Sequence, residues 1–178
     1  LVERLSYAEA CELSYFGAKV IHPQTMAPAI ARGIPVVIRN TFKPEHPGTR
    51  IDAGPSTEPP VKGVTTFGAL ALLDIQGAGM IGVPGTAERA FHALKTAGVS
   101  VVMISQGSSE HSICCVIRAS DARAAEEAVR AAFARELAAR QLEAVAVRRG
   151  IAALAVVGDG MAGVPGVAAR LFGALGRA

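Results

Sequence analysis

The sequence predicts an α+β protein built on a ferredoxin-like β-α-β-β-α-β module, one copy complete and a second truncated. Three observations carry that expectation. A 21-residue segment occurs twice, 81 positions apart: GAGMIGVPGTAERAFHALKTA at 77–97 and GDGMAGVPGVAARLFGALGRA at 158–178, with 13 identical positions. Each copy is a glycine-rich turn that opens a helical pattern, so a structural unit has been duplicated. Apolar runs between 69 and 148 alternate in the order strand, helix, strand, strand, helix, strand. The loop QGSSEH between the two middle strands is too short for a helical crossover and implies an antiparallel hairpin.

The elements follow in order. Ser6 and Glu9 fit a capping box for a helix that runs to about Phe16 and stops at Gly17. AKVI at 18–21 reads as a short strand or turn. A second helix starts near Pro23 and ends at Gly33, and IPVVIR at 34–39 reads as a buried strand. The stretch AGPSTEPP at 53–60 has three prolines and no apolar period, which marks a linker. Strands are then expected at 69–76, 99–105, 112–118 and 142–148. Helices are expected at 84–97, with Gly98 as its stop, and from Ser120 or Asp121 to about Arg140. Residues 152–157 restart the cycle, and the second copy ends with its helix at Ala178. A module that starts without finishing suggests a piece of a longer protein. The expected boundaries are 1–52, a linker at 53–62, a first module at 63–149 and the start of a second at 150–178.

Composition excludes several classes. Net charge is +3, there is no Trp, and the basic residues are scattered. A nucleic-acid surface wants a basic stripe with interleaved aromatics. No run of about 18 uncharged apolar residues indicates a membrane span, and LVERLSYAEA is not a signal peptide. The cysteines are Cys11, Cys114 and Cys115. The adjacent pair points to opposite faces of a strand, which suits neither a metal site nor a mutual disulfide and leaves free thiols. A cytoplasmic location is expected.

Gly77, Gly79 and Gly82 spell G-x-G-x-x-G between a strand and a helix, as do Gly158, Gly160 and Gly163. A dinucleotide site would need an acid about 20 residues on, at the end of the next strand. That strand ends in Met103, Ile104, Ser105 and Gln106, and a hairpin follows it. A smaller anion fits better: backbone N–H groups at a helix start suit a carboxylate. Gln106, Ser108 and Ser109 supply acceptors for an ammonium group. The alternative is that the glycines only permit a tight strand-to-helix turn. His22 has no neighbouring nucleophile or acid and reads as structural. His111 reads as a surface residue at the hairpin edge, and Glu126, Glu127, Arg130 and Arg135 as a solvated helix face.

ELSYFGAKVIHP at 12–23 and IRNTF with PGT between 38 and 49 resemble the end of the aspartate kinase catalytic domain, an α/β amino-acid kinase fold. GAGMIGVPGTAERAF, VSVVMISQGSSEHSI and VVGDGMAGVPG resemble the paired ACT regulatory modules of the same enzymes, most like the bifunctional aspartokinase/homoserine dehydrogenase group. The resemblance implies a parent that phosphorylates aspartate with Mg and ATP. It implies ACT modules that bind an end-product amino acid and inhibit. Lys19 and Val20 match a nucleotide-contacting position. Met80, Ile81, Gly82, Val83, Gly85 and Thr86 on the turn, with Ser100, Val101, Gln106 and Ser108 on the second strand and its loop, match the effector pocket. That pocket typically lies where two modules pack, and one module contributes each part. The family's Lys-Phe-Gly-Gly segment and aspartate-binding residues do not occur in these 178 residues. The chain by itself is therefore expected to be inactive as a kinase and to need no cofactor. A homo-oligomer through the ACT modules is expected, as is a threonine effector rather than lysine. Other readings are a stand-alone amino-acid-binding or assembly module, and nicotinamide binding, which the missing acid disfavours.

Overall fold

The computed structural model describes residues 2–15, 17, 21–54, 58–107 and 111–178. The chain forms two compact units, Leu1–Phe67 together with Leu154–Ala178, and Gly68–Ala153.

In the 68–153 unit the sequence order is β4 (Gly63–Gln76), α3 (Thr86–Thr96), β5 (Val101–Gln106), β6 (Ser112–Arg118), α4 (Ala122–Ala132), α5 (Ala134–Ala138) and β7 (Ala144–Val157). The sheet order is β5-β6-β4-β7, the split β-α-β-β-α-β arrangement. β5 and β6 pair antiparallel, as the short loop requires, with Gln106 opposite Ile113. Alternation decides the faces: Ala71, Leu73 and Ile75 of β4 and Ile113, Cys115 and Ile117 of β6 point into the core. Ala90 and Leu94 of α3 and Ala122, Ala125 and Val129 of α4 cover them at helical spacing. Small alanines let these helices approach closely in a core that has no Trp.

Three local details differ from the sequence reading. Helix α3 begins at Thr86, after Gly85 in the left-handed region, so Pro84 lies in the turn. The long helix breaks at Phe133 into α4 and α5, and Asp121 precedes α4 without a side-chain capping bond. β7 is one 14-residue strand and β4 another, where two shorter strands and a late start were expected. Glu143 N–H donates to Gln76 O at 2.8 Å and Lys62 N–H to Val157 O at 2.8 Å, the same register at both ends. That register sets Ala69, at φ 55, opposite Gly150, at φ 72.

The other unit holds β1 (Arg4–Ser6), α1 (Tyr7–Tyr15), α2 (Pro23–Arg32), β2 (Val36–Ile38), β3 (Thr49–Asp52) and α6 (Val167–Leu175). Its sheet order is β1-β3-β2, parallel then antiparallel. Leu5, Tyr7, Ala10, Met26 and Ile51 form a small core. The capping box is present: Glu9 N–H donates to Ser6 Oγ at 3.1 Å, and Ser6 N–H to Glu9 Oε2 at 2.9 Å. His22 caps α2 through Nδ1, which accepts from Gln24 N–H at 3.3 Å, and Gly33 closes that helix at φ 63. Arg4 and then Arg50 hold the Asp52 carboxyl well below the usual carboxylate range, at 2.7 and 2.6 Å.

Candidate functional site

The first glycine turn sits between β4 and α3. Its glycines have structural work of their own. A Cβ on Gly77 would lie 2.7 Å from Gln141 O, and one on Gly79 2.6 Å, so the backbone passes too close for a side chain. Gly82 and Gly85 have φ 66 and 84, which favour glycine. A tight turn therefore accounts for these four glycines without a ligand.

The turn nevertheless builds a cleft. About 200 Å³ is lined by Met80, Val83, Pro84, Gly85, Thr86, Ala87, Gln106 and Ile113. Helix α3 points its N-terminus here. Its first residue follows Gly85, which has no side chain to cap the opening amides, and Arg89 N–H is the first to bond back, to Gly85 O at 2.9 Å. Such amides, aided by the helix dipole, attract a carboxylate. Gln106 arrives from the end of β5 and brings both a donor and an acceptor. Among the described residues, no ionisable side chain lines this cleft. Arg89 is turned away, bonded to Glu136 at 2.6 Å and stacked 4.1 Å from the Phe133 ring centroid. That guanidinium holds the Glu136 carboxyl below its ordinary range.

The structure gathers Met80, Val83, Gly85, Thr86 and Gln106 around one cleft. Ile81 and Gly82 belong to the same turn but do not line it, and Ile81 is exposed. Val101 begins β5 and Ser100 precedes it, while Gln106 ends the strand about 16 Å further along. One module thus joins Gln106 to the turn and leaves Ser100 and Val101 apart from both. Lys19, Val20, Ser108 and Ser109 lie outside the described residues. Pro84, Ala87 and Ile113 also line the cleft. Ile113 could have been found from the hairpin register, which sets it opposite Gln106.

Cys114 and Cys115 are held as thiols. Cys114 Sγ donates to Asp74 Oδ1 at 3.2 Å, and burial, then Asp74, pushes Cys114 up to about 11. Burial likewise raises Cys115 to about 11. Both stay protonated near neutrality, hence poor nucleophiles. Among the described residues no group of three or more His, Cys, Asp or Glu could hold a metal ion, and no helix is long and apolar enough to cross a membrane.

Comparisons with known proteins point one way. A family model described as ACT domain matches residues 73–133 and 154–178. The chain is 44% identical, over its whole length, to bifunctional aspartokinase/homoserine dehydrogenase 1, chloroplastic, of Arabidopsis thaliana, of which it covers 20%. It is similar to the crystal structure of the regulatory subunit of aspartate kinase from Thermus flavus, at 30% identity and TM-score 0.55, over 66% of this chain and 75% of that one. It is also similar to E. coli aspartokinase III in complex with lysine and aspartate, at 26% identity and TM-score 0.67, over 98% of this chain and 38% of that one. The chain spans about a fifth of the length of the curated relatives it matches over its whole length.

Proposed function

The chain belongs to the aspartate kinase family as an ACT regulatory region, and on that premise we propose that the cleft under its first glycine turn takes an end-product amino acid, threonine before lysine. On this reading the bound effector restrains a parent kinase that makes 4-phospho-L-aspartate from ATP and L-aspartate with Mg.

The composition of the cleft supports the choice. Opening amides of α3 suit the effector's α-carboxylate, and carbonyls at the end of β5 suit its α-ammonium. Gln106 suits a hydroxyl. Lysine would bring a second ammonium into a lining that, among the described residues, holds no carboxylate. An enclosed cation without a carboxylate or a full set of acceptors is costly. The neighbouring position on β5 where an acid would serve carries Val102. Inhibition curves on the parent enzyme test this directly. Threonine is expected to inhibit at lower concentration than lysine, and the reverse order would overturn the assignment.

The same reading includes self-association. β5 is an edge strand of its sheet and exposes Met103 and Ile104, each at 53%. Phe172 and Leu175 of α6 are exposed as well. Open edges and apolar patches seek partners. Light scattering at tens of micromolar is expected to show a species larger than monomer, and monomer alone would contradict it.

A further inference from the structure

The two glycine turns share a backbone and differ in what touches it. Gly77 and Gly158 open them at φ 164 and 166. Gly82 and Gly163 follow at φ 66 and 77, and Gly85 and Gly166 at φ 84 and 86. Each turn leads into its helix without a side-chain cap. The first turn borders a cleft whose described lining has no ionisable side chain. The second turn already holds a carboxylate. Glu9, only 1% exposed, accepts from Asp159 N–H through Oε1 at 2.7 Å. Its other oxygen, Oε2, accepts from Ser6 N–H at 2.9 Å. The Asp159 side chain is exposed, so the contact uses only the backbone of the turn. On another side the turn abuts the segment that precedes β4: a Cβ on Gly158 would lie 2.0 Å from Pro60 O.

One buried carboxylate thus satisfies two backbone donors that lie 153 positions apart, one opening α1 and one in the turn that β7 runs into. Parting them would strand a buried hydrogen-bonding group, which is far more costly than exchanging one exposed partner for water. The two segments are therefore tied. α1 belongs to the stretch that resembles the catalytic domain, and β7 is the strand that leaves the effector-binding module.

We propose that Glu9 is a positioning residue that fastens the second glycine turn to α1 as a built-in carboxylate ligand, and that the effector's signal reaches the catalytic part through this bond. The transmission step rests on the regulatory reading above. The fastening itself does not.

Four variants separate the roles. Glu9→Gln leaves one carbonyl oxygen for two N–H donors. Asp159→Pro deletes the N–H and keeps Glu9. Asp159→Ala installs the residue of the first copy and keeps the N–H. Ser6→Ala weakens the cap of α1 and leaves the bond to Asp159. In the parent enzyme, Glu9→Gln and Asp159→Pro are expected to raise the threonine concentration for half-inhibition at least about fivefold, the scale of a typical coupling between sites. Asp159→Ala and Ser6→Ala should keep the wild-type midpoint. A wild-type midpoint in Asp159→Pro, or an equal shift in Asp159→Ala, overturns the transmission. A wild-type parent indifferent to both threonine and lysine overturns the effector reading instead. Hydrogen exchange on the 178-residue chain then still decides the fastening. The Asp159 amide should exchange slowly in wild type and at least about tenfold faster in Glu9→Gln. Fast exchange in wild type, or no change in the variant, removes it.

Discussion

Phe133→Ala is expected to destabilise the 68–153 unit by about 3–5 kcal/mol, the usual cost of emptying a fully buried aromatic site. Among the described residues Phe133 is the largest fully buried side chain and has no exposed surface. It sits at the break between α4 and α5 and packs in the core with Leu94, Val129 and Leu142. Its ring also carries Arg89, whose guanidinium lies 4.1 Å from the centroid. Truncation would leave a cavity and loosen the Arg89–Glu136 pair that closes over it. Phe133→Leu restores most of the apolar volume but not the face for the cation, so it should recover only part of the loss. Thermal melts of the chain give the readout. A fall of at least about 12 °C is expected for a unit of this size. A fall below about 4 °C would mean that the site collapses without penalty and that the core is held elsewhere.

How far the sequence shows this architecture depends on the range of the interactions. The hairpin was legible because six loop residues cannot carry a crossover, and the capping box because Ser6 and Glu9 are three positions apart. The duplicated turn was legible as a repeat, and its glycines recur with matching backbone angles. The first half of β4 was not legible. GVTTFG is broken by glycines and polar residues and shows no apolar run. The expected strands at 142–148 and 152–157 left Gly150 between them, whereas β7 runs through it. The break at Phe133 was hidden because ARELA continues a helical composition.

The site divides along the same line. Gln106 and the turn residues meet because hairpin register and strand-to-helix geometry are local. Ser100 and Val101 were grouped with them by resemblance alone, and within this chain Val101 starts β5 and Ser100 precedes it, at the end away from Gln106. Glu9 gave no sign beyond its cap. No spacing encodes a bond that spans 150 positions to Asp159. Its burial is what shows a second task, since a capping glutamate on an exposed first turn would face water.

Gln106→Ala in the parent enzyme is expected to weaken threonine inhibition by about 1–3 kcal/mol, roughly 5- to 150-fold in the inhibitory midpoint. Among the described residues, Gln106 alone brings a polar side chain from β5 to the cleft, and the rest of the described lining offers Thr86 and backbone. A threonine hydroxyl enclosed there would lose its partner and still be shielded from water, which is the costly half of breaking a buried hydrogen bond. Lysine gives the complementary reading. It makes no use of a hydroxyl partner, so whatever weak inhibition it causes should change much less than that of threonine. The ratio of the two midpoints therefore carries the test and cancels any general loosening of the module. If both midpoints move together, Gln106 only supports the end of β5. If neither moves, the effector lies away from this cleft, and the amides at the start of α3 serve the fold alone.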